Sequence, residues 1–262
     1  MSRARGSNVL SLTPSKVRDY QACPQQYKLK VNTPRVADRT TASLSFGNSI
    51  HAALEELHMR VIPGNQVADC AQILRRHWKA GDYGDNQESE QYFDRGLKAL
   101  NRYMEVVGRT VGRVVGTELY LSRTVRLETE RVRLGCKVDR LELHPDGVLE
   151  ILDYKTNAGG QVPTPEFLKD DLATFIYYVL VRLTYPESHR VVVSQLNVMT
   201  LAKVKIEYES IKIGVHKKGL LDLVRSIGAS EFDPRPSSAC SWCRVRDFCP
   251  AFGPDSDLEE LT

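Results

Sequence analysis

The stretch 114–154 constrains the fold more than any other part of the chain. It contains three segments in which Val and Leu alternate with polar residues, and the turn sequence His144-Pro145-Asp146-Gly147 separates the last two. Alternation with a period of two is typical of strands that bury one face, and Pro-Asp-Gly is typical of a tight turn between strands. We therefore predict an antiparallel meander with strands at Val114–Leu127, Arg131–Leu143 and Val148–Tyr154.

Segments with helical periodicity surround this meander. Thr13 and Pro14 are typical of a helix cap and a first helical residue, and that helix is predicted to run toward Cys23. The other predicted elements are a loop at Asn32–Ser43, helices at Phe46–Val61, Val67–Lys79, Glu88–Val107, about Thr164–Thr184 and about Ile211–Ile227, and strands at Arg190–Met199 and Lys203–Tyr208. This order predicts an α/β fold of the mixed α+β kind, in which helices flank a mixed central sheet.

Length and composition limit the domain organisation. A chain of 262 residues that is 42% hydrophobic suits one large domain with an extension. We predict a disordered N-terminus at 1–9, a helical region at 10–110, a strand-rich core at 111–210, and a C-terminal helix with a cysteine-rich segment at 211–262. No apolar stretch is long enough to span a membrane, and the first ten residues lack the apolar core of a signal peptide. We therefore expect a cytoplasmic, intracellular protein without a membrane partner.

Basic residues are concentrated in two parts of a chain whose net charge is only +3. Residues 1–30 hold six basic residues against one acidic residue, and Arg123–Arg140 holds six against three. The tail Asp255–Glu260 has four acidic residues and no basic one. Basic patches on a near-neutral chain are typical of a nucleic-acid path, and solvated surface charge is the alternative for each patch taken alone.

A carboxylate and a lysine lie two residues apart at the end of the third predicted strand. Side chains alternate across a strand, so Asp153 and Lys155 point to the same side, and the turn brings Asp139 on the preceding strand beside them. Hard oxygen ligands of this kind suit Mg²⁺ or Mn²⁺, and a divalent ion with a nearby ammonium group suits phosphodiester hydrolysis. The alternative is a surface ion pair that contributes little to stability.

Four of the six cysteines have a spacing that is typical of a metal or cluster site. Cys240, Cys243 and Cys249 form a C-x₂-C-x₅-C-P pattern, and Cys23 precedes Pro24 near the other end of the chain. Four thiolates suit either a tetrahedral Zn²⁺ ion or an iron–sulfur cluster, and the spacing leaves both open. The two remaining cysteines, Cys70 and Cys136, are interpreted as small buried side chains.

The order of these motifs resembles one branch of a known nuclease family. The series Gly47-Asn48-Ser49-Ile50-His51, Glu118, Gly135 to Asp139 and Asp153-Tyr154-Lys155 is similar to the RecB-like branch of the PD-(D/E)XK nucleases. That branch includes the nuclease domains of bacterial recombination helicase–nucleases and the CRISPR-associated iron–sulfur exonucleases. The resemblance extends from about Leu10 to Phe252 and implies a restriction-endonuclease-like core at 111–210.

The resemblance also assigns roles to individual residues. It implies that a metal ion is held by His51, Asp139, Asp153 and the carbonyl of Tyr154, and that Lys155 is the catalytic lysine. It also implies that Glu118 binds the metal through a water molecule or contacts the residues that bind it. Tyr178 is implied as a further catalytic-site residue. Position 174 departs from the family pattern, because Thr174 stands where a glutamine is usual four residues before the tyrosine. His51 shares a helical stripe with Glu55 and His58, and only the resemblance selects it.

The implied activity is that of a metal-dependent DNA exonuclease acting on single strands in recombination, repair or replication. The implied cofactors are Mg²⁺ or Mn²⁺ and a [4Fe–4S] cluster that joins the chain ends through Cys23, Cys240, Cys243 and Cys249, with Zn²⁺ as the alternative. Trp242, Phe248 and Phe252 are expected to shield the cluster from water. The alternatives are an endonuclease on the same scaffold and a non-catalytic iron–sulfur adaptor. Because the chain has no phosphate-binding motif of ATP-driven motors, a helicase or recombination partner would supply any unwinding.

Overall fold

The computed structural model of the protein describes residues 9–32, 41–60, 69–107 and 112–252. The contacts between these residues divide the chain into two compact units. The terminal unit comprises the described parts of Met1–Arg39, Ser122–Gly135 and Ser210–Thr262, and the central unit comprises those of Thr40–Leu121 and Cys136–Glu209. The predicted disorder of residues 1–9 (except Val9), most of the Asn32–Ser43 loop, the start of the Val67–Lys79 helix and the acidic tail lie outside the described residues.

Eight α-helices and six strands are described in chain order. The helices are α1 (Pro14–Ala22), α2 (Pro24–Asn32), α3 (Ala42–Arg60), α4 (Cys70–His77), α5 (Asn86–Val106), α6 (Pro165–Asp170), α7 (Leu172–Thr184) and α8 (Ser210–Gly228). The strands are β1 (Leu10–Leu12), β2 (Arg113–Leu127), β3 (Glu130–Leu143), β4 (Val148–Lys155), β5 (Arg190–Asn197) and β6 (Lys203–Glu207). None of the described helices combines the length and apolar character that crossing a membrane requires.

The sheet of the central unit is mixed, as predicted. Strand β4 pairs antiparallel with β3 and parallel with β5, and β5 pairs antiparallel with β6. The turn at His144–Gly147 connects β3 to β4, and the His144 amide donates to the carbonyl of Val148. β4 has a neighbouring strand on each side and seven of its eight residues are buried, which explains why apolar residues occupy both of its faces.

Helices α3, α4 and α5 supply most of one apolar cluster in the core of the central unit. Ile50, Leu54 and Leu57 on α3 are fully buried, as their helical spacing predicted. Gly96 allows α5 to approach α3 closely, because a β-carbon at this position would lie 3.0 Å from the Ile50 side chain. This packing holds α3 in place, and α3 carries His51.

The terminal unit combines the two ends of the described chain. β1 runs parallel to the first part of β3, with Leu10 paired to Val132. The ring of Tyr20 packs edge-on against those of Tyr27 and Phe232, and its hydroxyl donates to the Glu231 carbonyl over 2.8 Å. Packing and hydrogen bonding therefore connect the helix before Cys23 to the segment that precedes the other three cysteines.

Two local features differ from the sequence prediction. The helix expected at about Thr164–Thr184 is two helices, because the Asp171 side chain accepts from the amides of Ala173 and Thr174 and caps a new helix there. Helix α2 was not predicted, and Pro24 occupies its first position. The cap at Thr13, which accepts from the Lys16 amide, is confirmed.

Candidate active site

The antiparallel pair β3–β4 places two carboxylates opposite each other. Arg140 pairs with Leu152, and continuing that register by one residue places Asp139 opposite Asp153. The amide of Tyr154 donates to the Asp139 carboxylate over 2.7 Å. Short-range strand pairing therefore fixes the position of Asp139 beside the end of β4.

Lys155 lies on the same side of β4 as Asp153, as the spacing of two residues predicted. The Lys155 ammonium is 2.6 Å from an oxygen of Asp153, and about a third of its side chain is exposed. An ion pair that is partly desolvated in this way restricts both side chains more than a fully exposed pair does. The ammonium group is thus fixed at the edge of the pocket.

His51 on α3 and Glu118 on β2 complete a group of possible metal ligands. The Nδ1 atom of His51 is 3.4 Å from Asp139 and 4.0 Å from Glu118. One ligand atom from each of these three residues lies within 4.8 Å of the others. An imidazole and two carboxylates are a ligand set that Mg²⁺ or Mn²⁺ accepts.

A single pocket contains these side chains and those of the strand end. Its lining includes His51, Glu55, Glu118, Lys137, Asp139, Asp153, Tyr154, Lys155 and Thr156. Gly47 lies where α3 approaches the end of β4, because a β-carbon there would be 3.1 Å from the Thr156 hydroxyl. The glycine of the Gly47–His51 motif thus permits the close approach that brings His51 to the carboxylates.

The backbone of Glu118 is strained. Its φ of 48° lies in the left-handed region, which a residue other than glycine rarely adopts within a strand. The Lys137 ammonium forms an ion pair with its carboxylate. Lys137 was not predicted as a site residue, although it shares a strand face with Asp139 two positions later.

The ionisation of His51 reflects opposing influences. Burial lowers the pKa of His51, but the hydrogen bond to Asp139 and the charges of Asp139 and Asp153 raise it by more, so the net pKa lies above its ordinary value. The surroundings of this imidazole are therefore strongly negative. A divalent cation would satisfy the same negative charge.

The chain also matches a known protein family over most of its length. A model of the PD-(D/E)XK nuclease superfamily matches residues 11–250. The chain belongs to this nuclease superfamily. Nucleases of the superfamily use divalent metal ions, and the ligand set of His51, Glu118 and Asp139 is suited to one.

Two solved structures are similar to this nuclease in fold. One, from Eubacterium rectale, is described as a "Putative exonuclease"; it has 13% identity, a TM-score of 0.57, and the match covers 93% of each chain. The other is the protein SSO0001, with 12% identity, a TM-score of 0.48, and coverage of 95% of this chain and 89% of that one. No curated protein matches this chain in sequence.

A buried polar network lies behind the end of β4 in the nuclease. The hydroxyl of Tyr103 is 2.9 Å from that of Tyr154, 2.7 Å from His58 and 2.5 Å from Arg140. The Arg140 side chain is 2% exposed and forms a 2.9 Å ion pair with Glu142. Burial first, and the charge of Arg140 second, lower the pKa of His58 to about 3. His58 is therefore a neutral core residue and does not line the pocket.

The burial of Arg140 corrects one prediction. The basic stretch Arg123–Arg140 was expected to face nucleic acid, and its other five basic residues are exposed. Arg140 is on the opposite face of β3 from Asp139, beneath the helices, so its inclusion in a nucleic-acid path was wrong.

The structure does not bring Tyr178 into the pocket. Its ring packs against those of Phe175 and Tyr208, with centroids 6.1 and 4.9 Å away. The hydroxyl of Thr174, which replaces the glutamine of the family pattern, donates to Asp171 at the start of α7. The catalytic role of Tyr178 stays a prediction.

A second cluster of possible ligands was not predicted. One ligand atom each from Glu142, His144 and Glu150 lies within 4.8 Å of the others. Two cations already balance its carboxylates, since Arg140 pairs with Glu142 and Lys203 lies 2.5 Å from Glu150. We therefore interpret this cluster as an ion-pair network that stabilises the far end of the β3–β4 pair.

The four predicted cluster cysteines share a pocket in the terminal unit. Cys23, Cys240, Cys243 and Cys249 all line it, and none of the six cysteines forms a disulfide. The Arg235 amide donates to the Cys23 sulfur over 3.4 Å, and the Ser237 amide donates to the Cys240 sulfur over 3.3 Å. Of the aromatic residues expected to shield the site, Phe252 lines the pocket, whereas Trp242 and Phe248 do not. Cys70 and Cys136 are buried in the central unit, as interpreted.

Proposed function

We propose that this nuclease is a metal-dependent DNA exonuclease that removes nucleotides from the ends of single strands. The observation that supports it most is the convergence of Asp139, Asp153 and Lys155 at the end of β4, with His51 and Glu118 beside them. Carboxylates for a cation and an ammonium group for a nucleophile are the groups that phosphodiester hydrolysis requires. The low exposure of both aspartates and the convergence of all three residues in one pocket make a surface ion pair a poor explanation.

Each of these side chains has a distinct proposed role. His51, Asp139 and Asp153, with the carbonyl of Tyr154, would hold Mg²⁺ or Mn²⁺, and Glu118 would bind through water. When bound, the ion polarises a phosphoryl oxygen and lowers the pKa of water.

Lys155 would orient the attacking water and stabilise the negative charge that develops on the phosphate. The 2.6 Å contact with Asp153 prepositions its ammonium group for this task. Lys137, paired with Glu118, adds a second positive charge at the same pocket.

Similarity to other nucleases supports the preference for ends and single strands. The sequence resembles RecB-like nucleases, and the Eubacterium rectale structure of similar fold carries the description of an exonuclease. The exposed residues Arg123, Arg126, Arg131 and Arg133 supply positive charge for a DNA backbone. We place the activity in recombination, repair or replication, with a helicase or recombination protein as the partner that separates strands.

We further propose that the four-cysteine pocket holds a [4Fe–4S] cluster. All four cysteines line one pocket, although Cys23 and the other three lie at opposite ends of the described chain, which is the arrangement that the resemblance to iron–sulfur nucleases implies. The two amides that donate to the sulfur atoms of Cys23 and Cys240 would stabilise the thiolate form that ligation requires.

Digestion of labelled DNA tests the activity. The purified protein with Mn²⁺ should degrade end-labelled linear single strands, cut duplex ends more slowly, and leave circular single strands intact. Cleavage of the circles would show that the protein is an endonuclease and not an exonuclease. Binding of linear DNA without any cleavage would favour the non-catalytic adaptor.

Metal analysis tests the cluster. Protein purified without air should be brown and contain close to four iron atoms per chain, as ligation by four cysteines implies. Colourless protein with a single zinc ion would show that the four cysteines bind tetrahedral zinc and not a cluster.

A further inference from the structure

One aromatic side chain of the cysteine-rich segment is displayed to solvent. Trp242 is 87% exposed, more than any other large hydrophobic residue in the described part of the chain. In the same segment, Phe248 is 50% and Phe252 is 41% exposed. Burial of an indole is strongly favourable, so three exposed rings within one segment of eleven residues make this segment a candidate surface for binding a ligand.

Hydrogen bonds define the turn that carries Trp242. Trp242 ends the short 3-10 helix Ser238–Trp242, and the Ser237 side chain caps its start by accepting from the Ala239 amide. The Ser241 hydroxyl donates to the Ser238 carbonyl over 2.7 Å, and the Cys243 amide donates to the Cys240 carbonyl. The indole is thus presented on a defined turn between two cysteines, which lowers the entropy that binding would cost.

Arginines lie in the same segment as this turn. The segment 234–252 contains three arginines and one acidic residue. Arg235 and Arg246 are exposed and line the same pocket as Cys240 and Cys243, which flank Trp242. The Arg246 guanidinium lies 5.0 Å from the centre of the Phe252 ring, a geometry that holds the charge close to an aromatic face.

We propose that Trp242 is a stacking platform for an unpaired base of single-stranded DNA, with Arg235 and Arg246 as contacts for the adjoining phosphates. Aromatic faces interleaved with cations are the chemistry that binds single strands without regard to sequence. A duplex presents no free base face except at its ends, so this surface selects unpaired DNA. The inference rests on the proposed function, because it assumes that DNA is the substrate, and it adds a second contact region in the terminal unit.

A protein partner is the less suitable occupant. Polar residues stand close to Trp242 in sequence (Ser237, Ser238, Ser241 and Arg244), and Phe248 and Phe252 are the only other large hydrophobic side chains exposed in the segment 234–252. Stable protein interfaces surround such an aromatic residue with a continuous, well-packed apolar patch.

Binding of labelled DNA to a cleavage-deficient protein tests the proposal. Asp153→Ala protein with its iron content verified is the parent, and fluorescence anisotropy of a labelled twelve-residue oligothymidylate gives the Kd. Trp242→Ala in this parent should weaken binding about tenfold, a value within the range for loss of one stacked base. Trp242→Phe should restore most of the affinity, and neither change should affect competition by a relaxed, covalently closed circular duplex, which has no ends and no unpaired loop.

The matched control is Phe167→Ala, which removes another exposed ring, 67% exposed and located on α6. It should leave the Kd unchanged. Equal affinity of the Trp242→Ala and parent proteins for the oligonucleotide would overturn the stacking platform. A Trp242→Ala substitution that altered only self-association of the protein would overturn it too. In either case, Mn²⁺-dependent cleavage by the Trp242→Ala variant of the otherwise native chain would show that the proposed function stands. Failure of the parent to bind any DNA would reject the proposed function as well.

Discussion

The hydrolytic site and the cysteine pocket differ in what holds their side chains in position. Asp139 and Asp153 lie on paired strands between buried neighbours, and His51 lies on a helix whose other face fills the core. Cys240, Cys243 and Cys249 lie in or directly after short 3-10 turns, in a segment with few buried residues. The first site is built by packing, whereas the second depends on short turns and on what its thiols bind.

This difference indicates which parts of the molecule need a ligand to be stable. Regions with many buried apolar contacts keep their geometry without a ligand, and regions with few open locally at low cost. A cluster that binds only the folded protein adds its binding free energy to folding. We therefore expect changes at the hydrolytic site to affect turnover alone and changes at the cysteines to affect stability.

The largest effect is expected from the acid–lysine pair. Asp153→Ala or Lys155→Ala should lower turnover of linear single-stranded DNA roughly a thousandfold or more, because each removes a group that acts on the reacting phosphate. The melting temperature should change little. Initial rates with Mn²⁺ and circular dichroism measure both quantities, and Asp222→Ala, at an exposed position on α8, is the control. Turnover near that of the unmodified protein in either variant would remove these residues from the mechanism.

Loss of a cluster cysteine should lower the melting temperature and leave turnover per folded molecule unchanged. Cys240→Ser should abolish iron binding and lower the melting temperature by roughly 10 °C, because the cluster no longer stabilises the folded terminal unit. Activity per folded molecule should remain. Iron content, melting and specific activity are measured together, with Cys70→Ala as a control that keeps its iron. A variant that is folded, free of iron and inactive with Mn²⁺ would show that the cluster also serves catalysis.

The buried network offers a test of packing behind the hydrolytic site. Arg140→Met should destabilise the protein by about 3–5 kcal/mol, because it leaves the Glu142 carboxylate buried without its cation. Adding Glu142→Leu should recover much of this loss, and Arg133→Met on the exposed face of β3 should cost less than about 0.5 kcal/mol. Urea denaturation measures all three. If the double variant were no more stable than Arg140→Met, the ion pair would not be the reason for the loss.

The smallest expected effect is on the free energy of unfolding at acidic pH. The pKa of His58 is lowered to about 3 in the folded protein, whereas in the unfolded chain this imidazole takes up a proton near pH 6.5. The unfolded state therefore binds more protons between these values, and His58 costs stability as pH falls from about 6.5 toward 3. Between pH 7.5 and 5.5, the unmodified protein should lose about 1 kcal/mol more unfolding free energy than His58→Gln. Parallel losses in the two proteins would mean that His58 is protonated in the fold.

Features that depend on spacing along a few residues were predicted from the sequence. The separation of two residues placed Asp153 and Lys155 on one side of β4, and the turn at His144–Gly147 set the register that brings Asp139 opposite Asp153. The mixed sheet with flanking helices followed from the same periodicities. His51 was separated from Glu55 and His58 only by the family resemblance.

Features that depend on which surfaces meet were decided by tertiary structure. His51 and Glu55 line the pocket, whereas His58 faces Tyr103 and Arg140 in the core, although all three share one helical stripe. The left-handed backbone of Glu118 had no signal in the sequence, and its ion pair with Lys137 joins β2 to β3.

The sequence by itself determined the strands, the acid–lysine pair and the set of four cysteines, because local periodicity and residue chemistry specify them. Only the tertiary structure decided that Arg140 is a buried counter-ion, that Tyr178 packs away from the pocket, and that Trp242 is exposed. The physical reason is that burial depends on which elements cover a side chain. A count of charges or aromatic residues along the chain does not contain that information.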